Sequence, residues 1–349
     1  MTGKRIAFKG SFLLIGRILE KAAQFLVLVL VARTLSLEEY GTYSLAIYFT
    51  ALCTILFDWG IQPYSIREVA RDSSRSSVFL LHGIVLKSIY AVSAVGLVSL
   101  ILLFIRYPQP VWQAIVVVFV GRGLLSFAQF NGALFRAHGR MHYEAAMALG
   151  GAAVLLGATF VSLRGHFGVL GLAVAWLLYG LAELAISFGL LFARVFPRNA
   201  ISTSVQRPFL REMNKQSFVF GLCSACTLVY FYLDTIMLSK MGALGDVSRY
   251  TAAYNFVLAL ILLPQVLVDT LYPYLSRRFL AEKRPIGRVV QTITRYFLLV
   301  TIPLGIGGTL LAAPLIRFVY GERYLTGGIG ADRALAILVW DGCLVFFTY

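Results

Sequence analysis

Long apolar runs separated by short polar segments fill almost the whole chain. Because about 20 residues of helix cross a bilayer core, each long run is a candidate membrane span. Ten such runs cover residues 11–33, 41–62, 78–105, 111–134, 145–163, 168–193, 217–240, 250–275, 293–319 and 331–349. The pattern predicts an all-α polytopic membrane protein with about ten transmembrane helices.

Composition supports lipid as the main solvent of the chain. Hydrophobic residues make up 59% of it and charged residues only 13%, whereas soluble domains carry about 25% charged residues. The net charge of +15 would suggest nucleic acid as a partner for a soluble protein. Here the basic residues lie in short loops and no nucleic-acid motif is present, so we predict no nucleic-acid partner.

The distribution of basic residues predicts the orientation in the membrane. If the N-terminus is cytoplasmic and the loops alternate in side, nineteen Lys and Arg residues fall on the cytoplasmic side and eight on the outer side. Basic residues are enriched in the cytoplasmic loops of membrane proteins. We therefore expect a multi-pass protein of the cytoplasmic membrane with a cytoplasmic N-terminus.

The longest polar segment suggests two halves. Residues 1–195 are predicted to form a first bundle of six helices, and residues 196–216 a basic cytoplasmic linker with Pro197 and Pro208. Residues 217–349 would form a second bundle of about four helices. The chain ends at Tyr349 inside an apolar run, so we expect this second bundle to be incomplete, in a short or truncated chain.

An internal repeat relates the halves. Pro63-Tyr64 followed by Arg67 returns after 210 residues as Pro273-Tyr274 followed by Arg277. Upstream, Tyr43, Ala46 and Phe49 return after 207 residues as Tyr250, Ala253 and Phe256. Repeated halves are common in transporters that work by alternating access, and the alternative is chance similarity between apolar helices.

Ionisable residues inside the runs are the candidate functional residues. A charge at the centre of a lipid-facing helix costs about 2.5–3.5 kcal/mol on insertion scales, so these side chains should pair, reach the interface or line an aqueous cavity. The predicted substrate-binding cations of the first half are Arg17, Lys21, Lys87 and Arg122. The predicted coupling or ion-pair carboxylates are Glu20, Asp58, Glu183 and Asp269.

The surplus of deep charge in the first half is positive. A cationic cavity of low dielectric attracts an anionic headgroup such as phosphate or pyrophosphate. The first helix is the densest segment, since Glu20 lies three residues after Arg17 and the two can pair on one helix face. The alternative is a structural ion-pair network that holds helices together.

Polar residues of the second half suggest sugar contacts. Tyr232, Asp234 and Asn255 lie in the seventh and eighth runs, and their rings, hydroxyl and amide groups suit a glycan. The alternative is an interfacial aromatic belt, in which tyrosine is common.

No cofactor or metal site is predicted. The four cysteines lie inside apolar runs, including Cys223 and Cys226 in a C-x-x-C, and we interpret them as buried thiols. The four histidines are scattered near helix ends, which favours interfacial positions over catalysis.

These features together resemble the polysaccharide and O-antigen flippases of the multidrug/oligosaccharidyl-lipid/polysaccharide exporter superfamily. The resemblance spans essentially the whole chain and is diffuse. The segments that carry it are the helix from Lys9 to Arg33, the segment from Leu35 to Tyr43 with Ala46, Asp58 to Gln62, Arg67 to Arg71, Tyr232 to Lys240, and Tyr250 to Tyr254.

The resemblance implies two six-helix bundles around a central cavity and no enzymatic activity. It implies a flippase that moves undecaprenyl-pyrophosphate-linked oligosaccharide units across the cytoplasmic membrane for surface polysaccharide synthesis, with proton or sodium coupling. The expected partners are the lipid-linked oligosaccharide, the bilayer, a polysaccharide polymerase and glycosyltransferases. The alternatives are a lipid II or multidrug transporter of the superfamily and a membrane polysaccharide polymerase or ligase, whose large outer loop is missing from the predicted loops.

Overall fold

The computed structural model describes residues 3–195, 204–261 and 286–345. Every regular element in these ranges is helical and none is a strand, as expected for a backbone that satisfies its hydrogen bonds inside lipid. The predicted all-α fold is therefore confirmed.

The helices are numbered in chain order. They are α1 (Gly3–Thr34), α2 (Leu37–Cys53), α3 (Ile55–Asp58), α4 (Ile61–Arg71), α5 (Ser76–Ile105), α6 (Gln109–Ala137), α7 (Met141–Arg164), α8 (Gly168–Leu190), α9 (Arg207–Met241), α10 (244–261), α11 (Ile286–Leu310), α12 (Ala312–Tyr320) and α13 (Ala331–Val345).

Six helical segments of the described ranges are long and apolar enough to span a membrane. A seventh follows if α11 and α12, which are bent by 68° at their junction, count as one broken span. The α2 and α3 pair forms one of the six, and α1 is not among them. Since α1 carries Arg17, Glu20 and Lys21 within five residues, its central charge density distinguishes it from the others. The predicted count of ten spans is approximate.

Two compact units make up the fold. The first unit contains Met1–Leu28 and Thr42–Met241. Its centre is α8, which packs most extensively against α6 and α7. The aromatic and aliphatic cluster around Tyr64, Phe79 and Phe130 fills the end of this unit at which α4 and α5 meet.

The second unit contains Val29–Gly41 and Gly242–Tyr349. Its described core is a group of buried aromatic side chains. The rings of Tyr40 and Tyr324 meet edge to face with centroids 6.0 Å apart. The amide of Asn255 donates to the hydroxyls of Tyr40 at 3.2 Å and Tyr320 at 3.5 Å.

The starts of α2 and α10 carry matching caps. At α2 the Glu39 carboxylate accepts from the Ser36 backbone N–H at 2.9 Å, and the Ser36 hydroxyl accepts from the Glu39 N–H at 3.3 Å. This reciprocal arrangement is a capping box. At α10 the Asp246 carboxylate accepts from the Ala243 N–H at 3.2 Å. Both capping pairs are separated by 207 residues, the spacing of the predicted repeat.

The ends of α1 and α9 show a second match at the same spacing. Arg33 donates to the Val319 carbonyl at 2.7 Å, at the end of α12. Lys240, 207 residues later, donates to the Ile105 carbonyl at 3.0 Å, at the end of α5. Basic side chains satisfy free carbonyls at helix ends. These contacts support the internal repeat beyond the sequence match.

The predicted linker differs from the structure at its C-terminal side. Residues 207–216 belong to α9. Pro208 lies in the first turn of that helix, where its missing N–H costs no hydrogen bond, so this proline starts a helix instead of interrupting one. Residues 196–203 lie outside the described residues, as do Pro273 to Arg277 of the repeat and the last residues to Tyr349. The division into bundles at 195 and 217 remains a prediction, while compactness assigns α9 to the first unit.

Candidate functional site

The Arg17 side chain on α1 pairs with a carboxylate that the sequence analysis did not consider. Its guanidinium lies 3.0 Å from Glu144 in the first turn of α7, and Arg136 at the end of α6 lies 3.0 Å from the other oxygen of the same carboxylate. The expected pairing of Arg17 with Glu20 is therefore wrong. Glu144 is largely buried whereas Arg17 is 45% exposed, so one carboxylate serves two arginines and one positive charge remains in surplus.

Lys87 and Asp58 form a buried ion pair. The Lys87 ammonium on α5 lies 2.7 Å from the Asp58 carboxylate and 2.7 Å from the Ser126 hydroxyl on α6. The Lys87 side chain has no exposed surface. Asp58 thus neutralises a buried cation instead of reaching the interface, and Lys87 has no surface with which to contact a substrate in this conformation.

A hydrogen-bonded network joins α1 to α8. The Tyr179 hydroxyl donates to Glu20 at 2.6 Å, and the Gln24 amide donates to the same carboxylate at 3.0 Å. Lys21 donates to the Gln24 amide oxygen at 3.1 Å. Glu183 follows Tyr179 by one helical turn on α8 and is almost fully buried. The network holds two carboxylates of adjacent helices around one tyrosine.

Arg122 reaches α8 because two glycines allow a close backbone approach. A Cβ on Gly121 of α6 would lie 2.7 Å from the Trp176 carbonyl, and a Cβ on Gly180 would lie 2.3 Å from the Gly121 carbonyl. Small residues at such crossings are typical of membrane helix packing. The approach places the Arg122 guanidinium 4.6 Å from the centre of the Trp176 ring.

Aromatic side chains surround this arginine. Trp176 donates through its indole N–H to the Tyr43 hydroxyl at 2.9 Å, and its ring meets that of Tyr179 with centroids 5.7 Å apart. Electrostatic interactions with Arg122 also come from Tyr48 and Tyr232, whose rings lie 5.8 Å apart. We call the set of Arg122, Trp176, Tyr43, Tyr48, Tyr179 and Tyr232 the aromatic enclosure.

Arg122 has an unused donor within the enclosure. Its Nε is buried without a hydrogen-bond partner, and within the described ranges no carboxylate forms an ion pair with it. The residue itself is partly exposed. Arg122 lies one residue before the midpoint of α6, at the depth where an uncompensated charge is most costly. The enclosure is therefore a cationic position suited to an anion.

The remaining predicted residues divide between two positions. Tyr232 belongs to the aromatic enclosure, and Asp234, two residues further along α9, accepts from the Thr235 backbone N–H at 2.6 Å. Asn255 lies in the buried core of the second unit, so the structure does not bring it together with the others in the first unit. Asp269 lies outside the described residues.

Metal and redox chemistry find no support in the described ranges. They contain no group of three His, Cys, Asp or Glu side chains placed to hold a metal. Cys53 and Cys343 are buried as expected, whereas Cys223 and Cys226 are exposed on α9, so the interpretation of all four as buried thiols is wrong. His82 is also not interfacial, because it is fully buried and accepts from the Gln206 backbone N–H at 2.9 Å.

One titratable group outside the spans has a shifted pKa. His138 follows the last residue of α6, and its Nε2 lies 2.8 Å from the Ser76 hydroxyl. Burial of the ring, with a smaller contribution from Arg140, lowers the pKa of His138 below 6.5. This contact joins the start of α5 to the end of α6.

Sequence reasoning missed the partners of the predicted cations. Glu144 was absent from the predicted set because it lies at a helix start and not inside an apolar run. Trp176, Tyr43 and Tyr179 are ordinary aromatic residues of apolar helices, and no local spacing connects them with Arg122. Gln24 lies three residues after Lys21 on α1, and this spacing was the one available signal.

A family model described as "Polysaccharide biosynthesis protein" matches residues 7–279. No curated protein sequence matches the chain significantly.

Several solved transporter structures share the fold at low sequence identity. The inward-facing conformation of a multidrug resistance MATE family transporter of the MOP superfamily is similar with a TM-score of 0.64 and 16% identity, over 94% of this chain and 78% of the other. A MATE in complex with MaD3S gives 0.62 and 14%, over 99% and 80%. A mutant of the Vibrio cholerae MATE transporter VcmN gives 0.60 and 13%, over 98% and 81%.

Proposed function

Because this chain belongs to the polysaccharide biosynthesis protein family and has a MATE-like transporter fold, we propose that it is a flippase for lipid-linked oligosaccharides. Its substrate would be an undecaprenyl-pyrophosphate-linked oligosaccharide unit, moved across the cytoplasmic membrane for surface polysaccharide synthesis. The single observation that carries this proposal is the position of Arg122, a mid-membrane cation with aromatic neighbours and no carboxylate partner in the described ranges.

The electrostatics of the first unit favour an anionic group at Arg122. Lys87 is neutralised by Asp58 and Arg17 is paired with Glu144, so the available positive charge is more localised than the sequence suggested. A guanidinium binds phosphate oxygens through a planar pair of donors. In a site of low dielectric this interaction is stronger than in water.

The aromatic enclosure suits the rest of such a substrate. Contact with Trp176 contributes about 0.5–2 kcal/mol to holding the guanidinium, which is less than the cost of an uncompensated charge at mid-membrane, about 2.5–3.5 kcal/mol. A bound phosphate would supply the missing part. Tyr43 and Tyr232 add hydroxyls beside the rings, which suit hydrogen bonds to a pyrophosphate or to the first sugar.

The coupling mechanism is a further part of the proposal. Glu20 faces Tyr179 and Gln24, and Glu183 lies in the same region of α8. We assign to Glu20 the binding of a coupling proton, whose gain or loss would rearrange the contact between α1 and α8. Alternating exposure of the enclosure to the two leaflets would then move the headgroup.

A transporter of organic cations is the second candidate, since the similar solved structures include a multidrug resistance transporter. The feature that favours it is the carboxylate pair of Glu20 and Glu183 beside aromatic rings, which suits a cation. The two candidates differ in the group that Arg122 would meet, because an organic cation is repelled by it.

The test uses the purified chain in proteoliposomes. Flipping of a polyprenyl-pyrophosphate oligosaccharide is followed by its accessibility to a membrane-impermeant glycosidase, and export of a fluorescent organic cation is measured in parallel. An interaction of a hydrogen bond with a charged group contributes about 1.5–3 kcal/mol, so R122Q should slow flipping by about 10- to 150-fold. R122K keeps the charge without the planar fork and should fall between the two.

The control is R164Q, which removes an exposed arginine at the end of α7 and should flip at the wild-type rate. Flipping by R122Q at the wild-type rate, with equal amounts of protein reconstituted, would contradict the proposal. Export of the organic cation by the wild type without any flipping would favour the second candidate.

A further inference from the structure

A basic cavity lies at the start of α9, away from the aromatic enclosure. Its volume is about 650 Å³, and its described lining comprises Arg207, Pro208, Arg211, Glu212 and Lys215. The three cations are spaced at four-residue intervals, so they occupy one face of the helix. None of them belongs to the contacts that the proposed transport uses.

The three charges are poorly compensated by the protein. All three residues are exposed, and within the part of the chain that the structure describes none of them forms an ion pair. The carboxylate of Glu212 instead accepts a hydrogen bond from the Gln216 amide at 2.6 Å. Like charges four residues apart repel one another on a helix, and the first turn of α9 contains no acidic residue.

Their position on the helix adds to this imbalance. The positive end of the helix dipole lies at the N-terminus, where anions are stabilised and cations are disfavoured. Arg207 and Arg211 lie in the first two turns of α9. The free backbone N–H groups of the helix start and the basic side chains thus present donors and positive charge in the same place.

Neighbouring elements extend the positive surface. The Arg75 guanidinium, just before α5, lies 5.5 Å from the centre of the Phe209 ring on α9. The Arg67 guanidinium on α4 lies 5.5 Å from the centre of the Phe220 ring. Below the cavity, Met213 and Ser217 are buried in the first unit, so the apolar and polar faces of this helix start are clearly separated.

The length of α9 places the cavity at the level of lipid headgroups. The helix has 35 residues and is therefore about 52 Å long, whereas the hydrocarbon core of a bilayer is about 30 Å thick. The apolar part of α9 begins near Ser217, so residues 207–216 extend beyond the hydrocarbon by about 15 Å. That distance covers the headgroup region on one side.

We propose that this cavity binds the phosphate group of a membrane lipid at the surface where α9 begins. The inference goes beyond the proposed transport and does not rest on it. The shared chemistry is a lipid phosphate ester, and anionic phospholipid is the source that a juxtamembrane basic cluster selects. A polyprenyl pyrophosphate and a free phosphate ion carry the same chemistry, so the experiment must separate these sources.

The experiment measures lipid binding to the full chain in nanodiscs of zwitterionic phosphatidylcholine. Phosphatidylglycerol, undecaprenyl pyrophosphate and inorganic phosphate are each titrated, and bound molecules are counted by native mass spectrometry. The test variant R207Q/R211Q/K215Q removes the three cations. The control R164Q/R317Q/R333Q removes three exposed arginines outside the cavity.

We expect the wild type to bind phosphatidylglycerol at least tenfold more tightly than inorganic phosphate. The test variant should lose this affinity by at least tenfold, while the control variant stays within twofold of wild type. E212Q removes the one described carboxylate of the lining and should bind phosphatidylglycerol more tightly. This second variant keeps the test decisive if the triple variant fails to fold.

Three results would overturn the proposal. Equal binding of phosphatidylglycerol by wild type and the test variant would remove the cavity as its site. Equal affinity of inorganic phosphate and phosphatidylglycerol would leave a site for a soluble anion. A preference above tenfold for undecaprenyl pyrophosphate would exclude phospholipid as the source and assign the cavity to a polyprenyl lipid.

Discussion

The hydroxyl of Tyr179 donates a hydrogen bond to the carboxylate of Glu20 at 2.6 Å, joining α8 to α1. This contact connects two helices of the first unit through a group whose charge state depends on protonation. If Glu20 carries the coupling proton, its hydrogen-bonding partner should affect transport as well as stability.

Replacement of Tyr179 by Phe removes this donor and keeps the ring beside Trp176. Hydrogen bonds to charged groups contribute about 1.5–3 kcal/mol, so we expect Y179F to lower the free energy of unfolding by that amount and to slow pH-driven flipping by roughly tenfold. Unfolding in SDS and the proteoliposome assay measure the two effects separately.

The matched control is Y107F, which removes a neutral hydrogen bond at 2.8 Å between Tyr107 and Ser239. This change should cost only about 0.5–1.5 kcal/mol and leave the flipping rate unchanged. Equal flipping rates for Y179F and Y107F would argue against a role for Glu20 in coupling.

The sequence predicted the helical fold because every long apolar run had one interpretation. A run such as 78–105 has no polar periodicity typical of strands and is long enough to cross a bilayer, and α5 occupies Ser76–Ile105. Boundaries were predicted less well where polar residues continue a helix beyond the membrane. Pro208 illustrates this, because its sequence position suggested a linker and its structural position is a first helical turn.

The candidate site was predicted in part. Depth in the membrane identified Arg122 as unusual, since few neutral explanations exist for a mid-helix arginine. Depth alone did not distinguish it from Lys87, whose partner Asp58 lies 29 residues earlier in the chain. Partners on different helices are set by packing, such as the Gly121 and Gly180 crossing, and no local pattern in one sequence records that crossing.

The Lys87 and Asp58 pair gives a prediction about stability. Removal of one partner of a buried ion pair leaves an uncompensated charge and typically costs about 3–5 kcal/mol. We expect D58N and K87M each to lower the free energy of unfolding substantially, with D58N the more harmful because it leaves the fully buried ammonium unpaired.

The double variant K87M/D58N should regain much of that loss, because neither charge remains. The control is R67Q, which breaks the surface pair of Arg67 with Glu68, in which the arginine side chain is 45% exposed, and should cost less than about 1 kcal/mol. Additive losses in the double variant would show that the two side chains do not interact in the membrane.

A close backbone contact predicts strong sensitivity at two glycines. A Cβ on Gly221 of α9 would lie 2.8 Å from the Trp59 carbonyl carbon and oxygen, and a Cβ on Gly60 would lie 2.4 Å from the Gly221 nitrogen. Gly60 also has φ of +78°, which favours glycine over other residues. We expect G221A to separate α9 from the turn between α3 and α4.

The loss for G221A should exceed about 1–3 kcal/mol, the usual cost of overpacking, because backbone atoms cannot move aside as a side chain does. The control is G96A on α5, where a Cβ would meet no atom within 4 Å. That change should stabilise the helix by up to about 1 kcal/mol. Thermal unfolding of both variants in the same detergent measures the difference.

His138 predicts how stability depends on pH. The pKa of His138 is lowered in the folded chain by burial and by Arg140, so the unfolded chain binds the proton more readily than the folded one. The stability that the neutral ring contributes is therefore complete above pH 6.5 and is lost as the pH falls below that value. The thermal unfolding midpoint should drop between pH 7.5 and 5.5, and H138Q should show a smaller drop. Asp72, whose pKa is lowered by hydrogen bonds from Ser74, responds only below its ordinary value of 3.8, so it does not contribute in this window. An equal drop for wild type and H138Q would assign the pH dependence to other groups.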